Sequence, residues 1–124
     1  MKHLTADDRN ALADQLQVMK RRALEEIGGT TADVRTHMEL QDREVRSHAD
    51  EAEVERLDEV RFAEIEVDRT RLHDIELAQQ RMADGRYGVC IDCGEAIPRE
   101  RLLAQPIAIR CATCQTTAEN LHRL

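Results

Sequence analysis

Four cysteines arranged as two close pairs constrain this chain more than any other feature of its sequence. Two residues separate Cys90 from Cys93, the same spacing recurs at Cys111 and Cys114, and seventeen residues lie between the pairs. Two Cys-x-x-Cys turns supply the four ligands of a tetrahedral zinc ion, and this spacing is within the usual range for such sites. The sequence therefore predicts one zinc ion bound by all four cysteines.

Other roles for the cysteines agree less well with the rest of the sequence. The first residues contain no apolar segment of the kind found in secretory signals, so we expect a reducing, cytoplasmic compartment in which cysteines bind metal. A redox Cys-x-x-Cys needs only one motif and a strand–helix context that is absent here. A catalytic zinc needs an open coordination position, whereas four thiolates fill the sphere. We therefore expect the zinc to be structural.

The composition favours long, solvated helices over a deep globular core. Charged residues make up 35% of the chain and aromatic residues only 2%. Residues 31–84 carry sixteen acidic and eight basic side chains, whereas residues 85–124 have a net charge of +1. An acidic segment is a poor partner for phosphate backbones, so we expect protein binding and no direct, specific DNA binding. No run of about 18 apolar residues exists, and no membrane span is expected.

Apolar periodicity predicts a first helix that begins after Thr5 as its N-cap. Its apolar stripe consists of Leu12, Leu16, Met19, Ala23 and Ile27. Gly28 and Gly29 follow, and each costs about 1 kcal/mol inside a helix. The sequence leaves open whether the helix breaks or bends at these two glycines.

A second helix is predicted from about Glu51 to Asp84, with Asp50 as a capping residue after a short turn. Its apolar seam consists of Val54, Leu57, Ile65, Leu72, Ile75 and Met82, and it is interrupted by Arg61, Asp68 and Gln79. Two helices joined by a short turn pack antiparallel. The predicted fold is therefore mainly α, with a long antiparallel coiled-coil hairpin joined to a small four-cysteine zinc-finger domain.

The predicted domain boundary lies at the Asp84-Gly85 step, where a glycine is suited to end a helix. Residues 1–84 would form the hairpin, with its tip near residues 47–52 and a possible break at residues 28–29. Residues 85–124 would form the zinc-finger domain, with a C-terminal helix after Cys114. The sequence leaves the oligomeric state open.

No catalytic arrangement is recognisable in the sequence. It contains neither a glycine-rich phosphate loop nor a nucleophilic serine motif, and no two of its five histidines have metal or catalytic spacing. We expect each histidine to be a solvated helix residue. The chain is therefore predicted to be neither an enzyme nor a binder of an organic cofactor.

The residues around and between the cysteine pairs resemble the DksA/TraR family. Residues 85–94 contain the motif G-x-Y-G-x-C-x-x-C-G, and residues 101–106 contain R-L-x-A-x-P. The zinc segment matches the family closely, and the hairpin matches it by architecture. The resemblance implies a factor that binds bacterial RNA polymerase, inserts its coiled-coil tip into the secondary channel and modulates initiation, often together with the alarmone ppGpp.

The tip motif of the family, Asp-x-x-Asp-x-Ala, falls on residues 47–52 of this chain. Asp50 and Ala52 match it, while Ser47 stands in place of the first aspartate. The resemblance implies that these three residues form the partner-binding tip. Serine accepts a hydrogen bond but carries no charge, so the regulatory effect is expected to be weakened or altered.

A second departure from the family concerns ppGpp. Family members that respond to ppGpp jointly with polymerase have basic residues at the positions of Asp74, Gln105 and Gln115. A highly negative ligand needs Lys or Arg, so we predict that the shared ppGpp site is not built here. Two other functions stay open: a zinc-stabilised adaptor with a different protein partner, and a zinc-ribbon protein that binds nucleic acid.

Overall fold

A computed structural model describes the backbone of residues 1–41 and 48–122, and the side chains of residues 1–29 and 55–122. The chain is mainly α-helical, as predicted. Its helices in order are α1 (Ala6–Gln41), α2 (His48–Ala83), α3 (Arg99–Ala104) and α4 (Ala112–His122). Within the described residues, β structure is limited to an antiparallel bridge between Val89 and Ala96. Among the described residues, none of the helices is long and apolar enough to cross a membrane.

Helix α1 begins with two reciprocal hydrogen bonds that satisfy its free backbone amides. The Asp8 amide donates to Thr5 Oγ1 at 3.0 Å, and the Thr5 amide donates to Asp8 Oδ2 at 3.1 Å. This arrangement is a capping box in which an aspartate takes the usual place of glutamate. The prediction that Thr5 is the N-cap is confirmed.

Helix α1 continues without interruption through Gly28 and Gly29. A Cβ atom added to either glycine would meet no atom within 4 Å. Neither a close neighbour nor a positive φ angle therefore requires glycine at these two positions.

We expect Gly28→Ala and Gly29→Ala each to stabilise the protein by about 0.4–1 kcal/mol, because alanine loses less backbone entropy than glycine on entering a helix. Urea unfolding followed by circular dichroism would measure this change. Gly88→Ala is the contrasting control: Gly88 has a φ of +81°, and its added Cβ would lie 3.1 Å from the His3 ring, so this variant should be less stable. Lower stability of the Gly28 and Gly29 variants would contradict an unbroken α1 in solution.

Helix α2 begins at His48, three residues earlier than predicted. Asp50 therefore lies in the first helical turn and not at the N-cap position, where we expected it. Ala49 is a strong helix former, and its preference is consistent with the earlier start. Ser47 lies outside the described residues.

The chain forms two compact units, and the first combines residues 1–20 with residues 74–124. Its buried apolar side chains come from the turn before α1, from both long helices and from the cysteine-containing segment, residues 85–122: Leu4, Leu12, Leu16, Ile75, Ala78, Tyr87, Ile97 and Leu102. Gln79 donates to Gln17 at 3.2 Å, and Lys20 lies 3.9 Å from Glu76. These pairings place the two helix segments antiparallel, as predicted for helices joined by a short turn.

The second unit comprises residues 21–73 and contains the remaining parts of α1 and α2. Ile65 is buried in it, whereas Leu57 is 46% exposed, so the predicted position of Leu57 on the apolar seam is wrong. A seven-residue repeat that has Ile65 on the buried seam also places residues 58, 61 and 68 on that seam. Residue 58, and not its neighbour Leu57, therefore occupies the buried position. These three positions hold Asp58, Arg61 and Asp68, all half-buried.

Candidate metal centre

The structure brings the sulfur atoms of Cys90, Cys93, Cys111 and Cys114 within 4.8 Å of one another. The Cys93 and Cys111 sulfurs are 3.9 Å apart. Zinc–sulfur bonds of about 2.3 Å in a tetrahedron require sulfur atoms about 3.8 Å apart. The four side chains therefore fit a tetrahedral zinc ion with little movement.

The first cysteine pair lies in a tight turn closed by backbone hydrogen bonds. The Gly94 amide donates to the Cys90 carbonyl at 3.1 Å, and the Cys90 amide donates to the Glu95 carbonyl at 2.8 Å. Gly94 has a φ of +75°, a left-handed conformation that residues with a side chain rarely adopt. The turn directs both sulfurs of this pair towards the second pair.

The second pair is positioned by the start of α4. The Gln115 amide donates to the Cys111 carbonyl at 2.9 Å, and the Cys114 amide lies 3.5 Å from the Cys111 sulfur. The Ile91 amide donates to the Ile109 carbonyl at 3.0 Å and so ties the two pairs together. Backbone hydrogen bonds therefore hold each pair locally and also link the two pairs.

The electrostatics of the cluster favour a bound cation. Burial raises the pKa of the Cys90 thiol, but backbone amides of Cys93, Cys111 and Asp92 outweigh burial and bring it down to about 6. Hydrogen bonds with the Cys111 and Cys90 side chains raise the pKa of Cys114 to about 12. The Cys90 thiol therefore ionises readily, whereas ionisation of the Cys114 thiol is disfavoured. Ionisation of all four requires a positive charge among them, which a divalent metal supplies.

Tyr87 anchors the cysteine-containing segment from within. Its side chain is buried, and its hydroxyl donates to the Pro106 carbonyl at 2.8 Å. Burial raises the pKa of Tyr87 to about 12, so the phenol stays neutral and remains a hydrogen-bond donor. Tyr87 of the first sequence motif (residues 85–94) therefore contacts Pro106 of the second (residues 101–106) directly.

Two contacts that the sequence analysis missed join the start of the chain to the cysteine-containing segment. His3 lies before α1, so the prediction that it is a helix residue is wrong; its side chain is exposed as predicted, but Nε2 lies 2.7 Å from the Ile97 carbonyl oxygen. Arg99 Nε donates to Asp8 Oδ1 at 2.8 Å, and this bond, followed by the Thr5 amide, lowers the pKa of Asp8. The partners are more than ninety residues apart in sequence, and no local pattern could have paired them.

The three positions considered for ppGpp do come together. Asp74, Gln105 and Gln115 line one cleft of about 310 Å³, together with Arg101 and Arg110. Arg101 Nε donates to the Arg110 carbonyl at 3.0 Å, while Arg110 Nε donates to an aspartate outside the cleft lining at 2.8 Å. The cleft thus contains a carboxylate and two arginines that already have hydrogen-bond acceptors.

The residues predicted for the coiled-coil tip are not brought into any described site. Ser47 lies outside the described residues, and Asp50 and Ala52 belong to α2 but lie outside the residues whose side chains are described. The roles assigned to these three residues stay predictions.

Comparison with known proteins agrees with this geometry. Residues 85–120 match the prokaryotic dksA/traR C4-type zinc finger family. General stress protein 16O of Bacillus subtilis is 44% identical over 55 residues, which cover 44% of this chain and 34% of that protein. The chain thus spans about a third of the length of this relative.

Two further comparisons extend over most of the chain. The RNA polymerase-binding transcription factor DksA of Caulobacter vibrioides is 32% identical over 116 residues, covering 89% of this chain and 80% of that protein. The structure of transcription factor DksA2 from Pseudomonas aeruginosa matches with a TM-score of 0.83 at 24% identity, covering 98% of this chain and 91% of that chain. The structural match establishes the fold, and the match to the Caulobacter protein extends the relationship beyond residues 85–120. The chain belongs to the DksA/TraR family.

Proposed function

We propose that this protein is a non-enzymatic transcription regulator that binds bacterial RNA polymerase in the cytoplasm. The observation that carries the proposal is the 32% identity to a polymerase-binding DksA over 89% of the chain. The relationship therefore includes both long helices and not only the cysteine-containing segment. In this proposal the tip between α1 and α2 enters the secondary channel and biases the polymerase between conformational states during initiation.

The proposed zinc is a single structural ion held by Cys90, Cys93, Cys111 and Cys114. Four sulfur ligands leave no open position at a tetrahedral zinc, so the ion would have no site for a substrate. Its role is to hold together a segment whose own buried side chains are few.

The proposed working end of the regulator comprises Ser47, Asp50 and Ala52. Asp50 would supply its one carboxylate, because Ser47 brings a hydroxyl where the family motif has an aspartate. Asp50 lies in the first turn of α2, close in sequence to the connection between the two long helices, and this position supports the assignment.

We further propose that the cleft around Asp74 does not bind ppGpp. The ligand carries several negative charges, and Asp74 would repel it, while Gln105 and Gln115 add no positive charge. Arg101 and Arg110 also line the cleft and keep their positive charges, but Asp92 pairs with Arg110 at 2.8 Å, so Asp74 and Asp92 together offset the two guanidinium groups. Regulation by this protein would then be independent of the alarmone.

Competition for purified core RNA polymerase tests the proposed function. The zinc-loaded protein should displace a known secondary-channel factor with micromolar or tighter affinity, and adding ppGpp should not change that affinity. Asp50→Asn should bind equally well but lose the effect on promoter-complex lifetime, whereas the control Glu66→Gln should keep it. Ser47→Asp, which restores the second carboxylate, should strengthen the effect.

Two results would lead to the other functions. Well-folded, zinc-replete protein that fails to bind polymerase would favour an adaptor with another protein partner. Binding to DNA or RNA with an affinity that falls steeply as salt rises would favour a nucleic-acid-binding protein, because phosphate contacts release counterions.

A further inference from the structure

The second unit carries an apolar groove that the proposed function does not use. The groove has a volume of about 710 Å³ and lies between α1 and α2 within residues 21–73. The described residues that line it are Glu26, Gly29, Val60, Ala63, Glu64, Val67 and Asp68. Val60 is 55% exposed and Val67 is 59% exposed, which leaves apolar side chains in water on both sides of Ala63.

The groove is shaped to receive a helix. Val60, Ala63 and Val67 follow one another at spacings of three and four residues, so they form a straight strip along one face of α2. On the α1 side Gly29 has no side chain, and a Cβ there would meet no atom within 4 Å. A ridge of side chains from a third helix could therefore pack between the two helices, as in helical bundles.

The charges around the groove select the kind of helix. Among the residues whose side chains are described, its lining includes the carboxylates of Glu26, Glu64 and Asp68 and no basic side chain. Glu26 has a basic neighbour, Arg71, at 3.6 Å, but both side chains are about half exposed, and such pairs contribute little. A partner with Lys or Arg beside its apolar residues would complement this rim, and charge complementarity favours selection of the right partner.

A second copy of this chain is a poorer occupant. In a two-fold symmetric contact that pairs the two grooves, the described carboxylates of one groove would face those of the other. Juxtaposed like charges suppress association. We propose that this groove binds a basic amphipathic helix of a partner protein. The inference rests on the proposed function in one respect, namely that RNA polymerase supplies this helix.

Two groove variants and two matched controls test the proposal. The double variant Val60→Gln, Val67→Gln removes the apolar strip, and Glu64→Lys reverses a rim charge. Phe62→Gln is the apolar control, because Phe62 is 50% exposed but does not line the groove. Glu66→Lys is the charge control, because Glu66 is an exposed acid of α2 that also does not line the groove. Circular dichroism and zinc content should be the same for all four variants.

The probes are core RNA polymerase and a synthetic helical peptide of about three heptads built from leucine and lysine. We expect both groove variants to weaken binding of both probes by about tenfold or more, a loss typical of central interface residues, while both controls stay within about twofold. A leucine–glutamate peptide of the same length should not bind the wild-type protein.

The remaining outcomes separate this inference from the proposed function. If polymerase binds the wild type and the groove variants equally, the inference is overturned and the proposed function stands. If polymerase does not bind at all, the proposed function fails and the leucine–lysine peptide decides: loss of its binding in the groove variants alone upholds the groove, and any other result overturns it. A dimer in sedimentation experiments that Glu64→Lys alters would also overturn the proposal.

Discussion

Replacing Cys90 with serine is expected to abolish zinc binding and to unfold the segment from residue 85 to residue 122. Cys90 is the most buried of the four cysteines, and backbone amides of its neighbours stabilise its thiolate. Structural four-ligand zinc sites contribute about 10–16 kcal/mol in small domains near pH 7, which is as large as or larger than the free energy of unfolding of a typical domain. Few buried side chains in this segment could replace a contribution of that size.

Elemental analysis for zinc and hydrogen exchange of the Tyr87 region would measure the result. Ile91→Ser is the matched control, because Ile91 lies in the same turn but is 45% exposed and offers no ligand. A chelator added to the wild-type protein should produce the same unfolded segment, and so should acid, which protonates the thiolates and releases the metal. A Cys90→Ser protein with one zinc per chain and unchanged exchange would contradict the predicted role of the ion.

Leu16→Ala is expected to have the second largest effect, a loss of about 2–5 kcal/mol in the free energy of unfolding. Leu16 has no exposed surface and is buried in the first unit, whose other buried side chains include Leu12 and Ile75. Truncation removes apolar burial and leaves a cavity, and both changes destabilise the folded state. Leu24→Ala is the control on the same helix, since Leu24 is 49% exposed and should lose less than about 1 kcal/mol.

Denaturant unfolding of the two zinc-loaded variants would provide this comparison. Zinc should be kept in excess, because binding of a ligand to the folded state alone adds to the apparent stability. Equal losses from Leu16→Ala and Leu24→Ala would show that the packing of the first unit differs from the structure described here.

Local sequence patterns predicted much of this fold. The spacing of the cysteines was sufficient to predict their clustering, because two tight turns with two ligands each satisfy a tetrahedral metal wherever the segment lies. Thr5 and Asp8 were sufficient for the start of α1, because the capping bonds involve residues three apart. The DksA/TraR membership was also recognisable, because its motifs are continuous stretches of sequence around the cysteines.

The side-chain register of α2 could not be predicted to the same accuracy. Leu57 was expected on the buried seam, yet it is exposed, while Asp58 and Arg61 are half-buried. Hydrophobicity suggests which face of a helix is buried only when the apolar residues outnumber the polar ones on that face. In this part of α2 the apolar side chains occupy two faces, and only the tertiary structure decides which face is buried.

The sequence by itself determined the helical class, the first cap, the metal-binding cysteines and the family, since each depends on residues close together in the chain. Only the tertiary structure decided which distant groups meet. It placed His3 against Ile97 and Asp8 against Arg99, and it gathered Asp74 and Gln105 into one cleft. Such contacts depend on how the elements dock, which is governed by the packing of many side chains at once and not by any local pattern.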